Sequence, residues 1–358
     1  MMSLEHITTS IQKMLQGHLS PTFALLAEFT IVGIMVLTLF AFLGLVLVFM
    51  ERKVSAYMQI RLGPNRVGYK GIAQTLADTI KLVVKEGLMP NGADKFLFNL
   101  APYIVMISAM LLMAPIAFAK NFQIWDLNIG VLYISAISSI SVIGILMAGW
   151  ASNNKYSLLG AMRSGAQIVS YELSAGLAIL TIVILTGSVR ISDIINSQEN
   201  GWWLFKGHIP VIVAFVIFVI AVTAETNRAP FDLAEAESEL TAGFHTEYSG
   251  MKFALFFLAE YANIFIVCAI AATLFLGGWM PFHIGAWQQF NHIMDFIPSS
   301  IWFFGKTFFM IFLIMWFRWT FPRLRVDQLL TLEWKYLLPI SLVNLLITTL
   351  IAIKGWHF

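Results

Sequence analysis

Runs of mostly apolar residues, each long enough to cross a lipid bilayer, recur from one end of the chain to the other. They fall near 29–50, 100–119, 131–151, 161–187, 209–226, 252–276, 301–319 and 335–354. A span needs about 20 such residues, and in hydrocarbon every backbone N–H and C=O must find its partner inside the same segment or in a closed barrel. Unbroken runs of this length meet that demand only as helices. The expected fold is therefore an all-α integral membrane protein of about eight transmembrane helices, with cytoplasmic amphipathic segments and one membrane domain over 1–358. Composition agrees: 59% of residues are hydrophobic and 12% charged, against about 25% charged in soluble domains. Residues 1–26 are mixed polar, without the basic start and small-residue cleavage site of a signal peptide, so the first span is expected to direct insertion.

The flanks fit those boundaries. Pro90 and Asn91-Gly92 precede the second span, Pro210 opens the fifth and Pro230 follows its end. Trp202, Trp203, Trp279, Trp287, Trp302, Trp316, Trp319, Trp334 and Trp356 lie at or near span ends, as an aromatic belt would. Sixteen of the 22 basic residues collect in one set of loops, Arg52 to Lys95, Lys155 and Arg163, Arg228 and Lys252, and Arg318 to Lys335. The positive-inside bias puts that set in the cytoplasm and, with eight spans, both termini outside. Between Gly71 and Glu86, Ile72, Leu76, Ile80 and Val83 share one helical face, opposite Gln74, Asp78, Lys81 and Lys85. That segment is too short and too charged to cross. It is expected to lie along the cytoplasmic interface, as a plain surface helix or as a docking element.

Acids inside the spans are the chemical signal. Glu172 lies near the middle of the fourth span and Glu260 about a third of the way into the sixth, while Glu51 and Glu225 end the first and fifth. A mid-bilayer carboxylate costs about 2.5–3.5 kcal/mol even on the mildest scale, so it must be protonated, paired or beside water. A structural hydrogen bond to a neighbouring helix satisfies that demand for Glu172 and Glu260, and a local ion pair with Arg52 or Lys53 does so for Glu51. A proton relay in a hydrated crevice also satisfies it. Ser164, Gln167, Tyr171 and Ser174 form a polar stripe beside Glu172, which favours the crevice. After the fifth span the loop carries Glu225, Asp232, Glu235, Glu237, Glu239 and Glu247 against a single Arg228. Helical geometry would place Asp232, Glu235 and Glu239 on shared faces, where like charges raise one another's pKa.

Several chemistries are disfavoured. Cys268 is the only cysteine, which leaves no thiolate cluster or disulfide. No histidine falls within a span except His208 at an edge, so paired haem ligands are missing. No glycine-rich phosphate loop follows a strand. The expectation is a chain without a redox cofactor of its own.

Several long motifs carry a resemblance. Met50-Glu51-Arg52-Lys53, Arg61-Leu62-Gly63-Pro64-Asn65-Arg66, Ala224 to Leu233, Glu237-Ser238-Glu239-Leu240 and Gly243 to Tyr248 occur in order. Arg318, Pro322-Arg323 and Arg325-Val326-Asp327-Gln328 follow. From about Phe29 to the C-terminus they resemble the signatures of the H subunit of NADH–quinone oxidoreductase, that is, the NADH dehydrogenase subunit 1 family of respiratory complex I. The resemblance implies a subunit of a proton-translocating NADH:quinone reductase, and the basic N-terminal half and moderate Lys content suit a bacterial inner membrane. Quinone would be the substrate, FMN and iron–sulfur clusters would belong to partner subunits, and the partners would be peripheral-arm and membrane-arm subunits and the lipid bilayer, with no nucleic acid. Carried over, Glu172, Glu225, Glu260, Asp232, Glu235, Glu237, Glu239 and Glu51 would form a proton path. Arg61, Pro64, Asn65, Arg66, Arg228, Phe231, Arg318, Arg323 and Arg325 would border the quinone tunnel. Two rivals are the equivalent subunit of an energy-converting hydrogenase and a stand-alone proton-coupled transporter. Neighbouring soluble subunits with or without a nickel site would separate the first. Activity of the isolated chain would reveal the second, against which no internal repeat is visible.

Overall fold

The computed structural model describes residues 21–120, 122–234, 237–283 and 287–355. Among these, eight helices are long and apolar enough to cross a membrane. They are α1 (Pro21–Met58), α3 (Lys95–Leu112), α4 (Gly130–Ala151), α5 (Lys155–Thr186), α6 (His208–Glu225), α7 (Gly250–Phe275), α8 (Ser299–Thr320) and α9 (Val326–Ile353). A short α2 (Gln74–Val84) follows α1.

Two helices organise the bundle. α5 packs against α4, α6 and α9, while α7 packs against α1, α2, α3, α6 and α8. From Ile264 to Leu276 every residue of α7 and its C-cap is buried, whereas Phe23, Phe29, Ile34, Met35 and Phe42 of α1 face outward. An apolar side chain turned outward is stable only against lipid or another chain. Small residues set the closest approaches. A Cβ on Gly149 would stand 2.2 Å from the Cβ of Ala161, and one on Gly160 would stand 2.7 Å from the Cα of Gly243.

The second span ends earlier than expected. α3 starts on Asp94, whose side chain accepts from the backbone N–H groups of Phe96 and Leu97, and stops at Leu112. Pro115 cannot continue a helix. Ala117–Ala119 instead pairs with Phe122–Gln123 as a short antiparallel ribbon, and Gln123 donates to the Pro115 carbonyl at 2.8 Å. The first span is longer than expected. α1 runs past Met50 to Met58 and carries the whole Met50–Lys53 motif as helix. The eighth starts at Val326 rather than 335, with a π-helical turn at Leu332–Leu337 that takes Glu333 and Lys335 into the span.

α2 forms where expected, with its apolar side outward, as a helix lying along the membrane interface holds it. Ile72, Leu76, Ile80 and Val83 are 52–59% exposed, and the Asp78 side turns toward the bundle, where Arg52 of α1 pairs with it. The acidic run after α6 is not one helix. Phe231 to Ala234 form a bend and turns, and among the described residues of this run after Pro230 only Glu237–Leu240 is α-helical. Glu235 and the side chain of Glu237 lie outside the described residues, and so does their expected alignment with Asp232 and Glu239.

Candidate functional site

The acids gather at the inner side of α7. Glu51 is 6% exposed, and its partners are not the adjacent Arg52 and Lys53 but Arg228, at 3.1 Å, and Arg318, which reaches the same oxygen. The other arm of the Arg228 guanidinium meets Glu260 at 2.9 Å, and its plane lies 4.7 Å over the Tyr261 ring. Residues from α1, from the loop after α6, and from α7 and α8 thus close one buried ion network. Its geometry depends on α1 staying helical through Glu51, because that turns Glu51 inward and Arg52 toward Asp78.

Beyond Glu260 the bundle opens into a cavity of about 220 Å³. Glu225, Glu260, Asn263, His245, Ser108 and Ser141 supply its polar wall, and Val105, Leu112, Ile145, Phe253 and Phe256 its apolar one. This space and its polar wall accommodate several hydrogen-bonded waters. Asn263 hydrogen-bonds the Glu225 carboxyl. Glu225 also borders a second cavity of about 50 Å³, whose far side carries Glu172, Ser135 and Ser138. There Ser138 and Ser139 of α4 each donate to Glu172 at 2.7 Å. The acids therefore form a row. Glu51, Arg228 and Glu260 stand at one end, Glu225 lies between the two cavities, and Glu172 ends the row against the serines of α4.

The polar stripe of α5 does not face this row. Gln167 donates to the carbonyls of Ala224, at 2.7 Å, and Phe231, at 2.8 Å. Tyr171 donates to the Leu329 carbonyl and Ser174 to Glu333. The stripe anchors the loop after α6 and the start of α9, while Glu172, one position on, points to α4. Phe231 is buried and packs edge-on against Tyr171 at 5.3 Å, and Asp232 is part-buried beside it.

The remaining residues lie apart. Arg61, Asn65, Lys53 and Lys70 line a separate pocket of about 220 Å³ in the basic loop after α1. Pro64 of that loop is part-buried and Arg66 exposed. Arg325 caps α9, its backbone N–H donating to Gln328 Oε1 at 3.1 Å, and the Leu324 N–H, next to Arg323, donates to the Pro230 carbonyl. Glu239 pairs with Arg163 at 2.6 Å. Arg163, with Arg323 nearby, holds its carboxyl below the ordinary range, opposite to the rise expected from neighbouring acids. The opposite sign follows from the partner, because Arg163 projects from the start of α5 onto Glu239.

Four polar features escape a reading of the sequence by segment. Ser138 and Ser139 belong to the run Ser135, Ser138, Ser139 and Ser141 inside an apolar span, a legible signal. His245 sits in the Gly243–Tyr248 motif but acquires its place only from the cavity, where burial pulls its pKa down to about 4. Glu333 falls just before the expected start of the eighth span at 335. Lys306, which the charge pattern assigns to the outer side, is 6% exposed inside α8 and donates to the carbonyls of Leu276, Gly278 and Met280. Among the described residues no group of three or more His, Cys, Asp or Glu converges as metal ligands do.

An apolar groove of about 150 Å³ runs between α1, α2 and α7. Ala41, Leu45, Val48 and Leu258 line it, and Arg52, Asp78 and Tyr261 stand at its polar end. Tyr261 is the ring beneath Arg228, so this groove and the ion network adjoin.

Residues 30–349 match the family model described as NADH dehydrogenase. A protein of Bacteroides fragilis named as the H subunit of NADH-quinone oxidoreductase is 56% identical over 352 residues, 98% of each chain. Proteins of the same name from Carboxydothermus hydrogenoformans and Bacillus cytotoxicus are 51% and 49% identical, over 86% and 90% of this chain and 85% and 94% of their own.

Proposed function

The chain belongs to the NADH dehydrogenase family, and from that premise we propose that it is the membrane subunit that links quinone reduction to proton movement in an NADH–quinone oxidoreductase. One observation carries the reading. The ion network of Glu51, Arg228, Glu260 and Arg318 touches an apolar groove on one side and a polar cavity leading to Glu225 and Glu172 on the other. A quinone has an apolar tail and a carbonyl-bearing ring, which matches a groove that is greasy toward α1 and polar at Arg52, Asp78 and Tyr261. In this reading the loop of Arg61, Pro64, Asn65 and Arg66, with Phe231, Arg323 and Arg325, borders the approach of the headgroup. Asp232 and Glu239 extend the acids toward the basic end, and the proposed path takes in Glu235 and Glu237 by their place in the same motif.

Reducing a quinone to a quinol takes two electrons and two protons. A unit of negative charge about 10 Å from a carboxyl, at an effective dielectric near 20, is worth about 1.7 kcal/mol. That changes the proton occupancy of the carboxyl more than tenfold. Electron arrival at the network end can therefore redistribute protons along Glu260, Glu225 and Glu172 without this chain handling electrons. FMN and iron–sulfur clusters fall to partner subunits, and the exposed Tyr57, Ile60, Leu62 and Tyr69 of the basic loop offer the apolar patch onto which such subunits dock. In this reading the chain is one unit in the inner membrane of a bacterial cell, with that end in the cytoplasm and both termini outside, which the concentration of basic residues there supports.

Glu225→Gln and Glu172→Gln, measured in the assembled complex, test the relay. Both keep their hydrogen-bond partners and lose the exchangeable charge, so proton pumping per electron falls at least severalfold. If quinone reductase rate and pumping are both intact in both variants, the relay assignment is wrong. Alanine at Arg61 or Arg66 raises the apparent KM for quinone, and an unchanged KM removes that loop from the tunnel.

A further inference from the structure

Glu333 stands outside the row that runs from Glu51 to Glu172. Its side chain is fully buried, at 0% exposure, on the π-helical turn of α9. Leu329 and Leu337, four positions to either side, are also buried and mark the seam where α9 meets α5. Among the described residues no Lys, Arg or His pairs with it. Ser174 donates to one carboxyl oxygen at 3.1 Å, and the other, Oε1, has no partner. An ionised carboxylate so placed is among the most costly groups a bilayer protein can hold, and a neutral acid is not. π-Helical turns also recur at functional sites, because they give up backbone regularity to aim a side chain.

Two further atoms share the defect. The Ser164 hydroxyl and Oε1 of Gln167 are buried without partners. Ser164, Gln167, Tyr171 and Ser174 are spaced three, four and three apart and so lie on one face of α5. At its basic end this face begins next to Arg163, whose partner Glu239 also feels Arg323, and two buried nitrogens of Arg323 are themselves unpaired. Each such orphan forfeits the hydration it had in water. Ordered water is the usual remedy for buried polar atoms that line up.

We propose that Glu333 is a proton-binding site separate from the Glu225–Glu172 row, fed from the basic end by water held along the Ser164–Gln167–Ser174 face of α5. The step is protonation alone: an O–H bond forms on the Glu333 carboxylate as the adjacent water gives up one proton and takes another from the next water, so that the chain draws one proton in from solvent at the basic end, and the reverse returns it. The site stands or falls independently of the quinone reading, because its test reads proton occupancy and not turnover.

The test is infrared difference spectroscopy of the assembled complex at neutral pH, wild type against Glu333→Gln, in H2O and in D2O. One carboxylic-acid carbonyl band per chain is expected to vanish in the variant, and in wild type it shifts down within minutes of transfer to D2O. If no such band is lost, Glu333 is not protonated and the proposal fails. If the band is lost but stays unshifted in D2O for hours, the water path fails. Should Glu333→Gln not assemble, Ser174→Ala keeps the acid and removes its hydroxyl donor. The same band is then expected to move upward, and an unmoved spectrum overturns the proposal.

Discussion

Arg228→Met removes the cation that serves two carboxylates at once, and its cost follows from the geometry. Arg228 and Glu51 have side chains 9% and 8% exposed and stand 3.1 Å apart, with Glu260 at 2.9 Å and 22% exposed. Two unit charges about 4 Å apart attract by about 4 kcal/mol at an effective dielectric near 20, and the several kcal/mol needed to desolvate each ion cancels most of that. The intact network is therefore close to neutral for stability. Removing one partner is not, since an uncompensated buried charge costs about 3–5 kcal/mol. Glu51 retains Arg318, so Glu260 carries most of the penalty, reduced by its opening onto the cavity. Hence Arg228→Met lowers stability by about 3 kcal/mol, and Arg228→Met with Glu260→Gln recovers more than half of the loss, because the carboxylate charge that faced Arg228 is gone. Equilibrium denaturation of the purified complex in mixed micelles, read by tryptophan fluorescence, measures both. If the double variant is as unstable as the sum of the single ones, Arg228 acts only by packing over Tyr261 and the electrostatic account is refuted.

Three further outcomes are expected. Burial holds His245 at about 4, against about 6.5 when unfolded, so the unfolded loop takes up the proton first as pH falls. Stability of the 243–248 segment is thus complete above about pH 6.5 and declines toward pH 4, by at most about 2 kcal/mol at about pH 5. Hydrogen exchange of its amides should show that slope in wild type and lose it in His245→Phe, and equal slopes would reject the assignment. Lys306→Met strips three buried carbonyls of their donor and should cost about 3 kcal/mol at the end of α7, read as a lowered denaturation midpoint. In Gly71→Ala the new Cβ would stand 2.1 Å from the Pro64 carbonyl at a backbone φ of +83°. The Arg61–Arg66 loop must then move, and limited proteolysis there should speed up while α1 to α9 stay protected.

Much of the architecture was legible because the bilayer makes backbone satisfaction a local matter, which a run of apolar residues records directly. Six of the eight spans, 131–151, 161–187, 209–226, 252–276, 301–319 and 335–354, match helices α4 to α9 at one or both ends within about two residues. The errors fall where local pattern and helix disagree. Pro115 stopped α3 inside an apolar run, and Glu333 with Lys335 hid the first turns of α9 beneath a drop in hydropathy.

The sequence alone determined that Glu172, Glu225 and Glu260 sit in membrane helices at a cost that demands partners, because hydropathy and charge are properties of the segment itself. It did not decide which partners. Arg228 and Arg318, far along the chain from Glu51, become its neighbours only when α1, α7 and α8 are packed together, and Glu172 turns to Ser138 and Ser139 only because α5 presents its other polar face to α9. The two faces of α2 were readable, but only the packing decides that Asp78 turns inward to Arg52 while Ile72, Leu76, Ile80 and Val83 face outward. Pairing across helices depends on rotations about helix axes and on distances of a few ångströms. Those are fixed by the sum of all contacts and are written in no single segment.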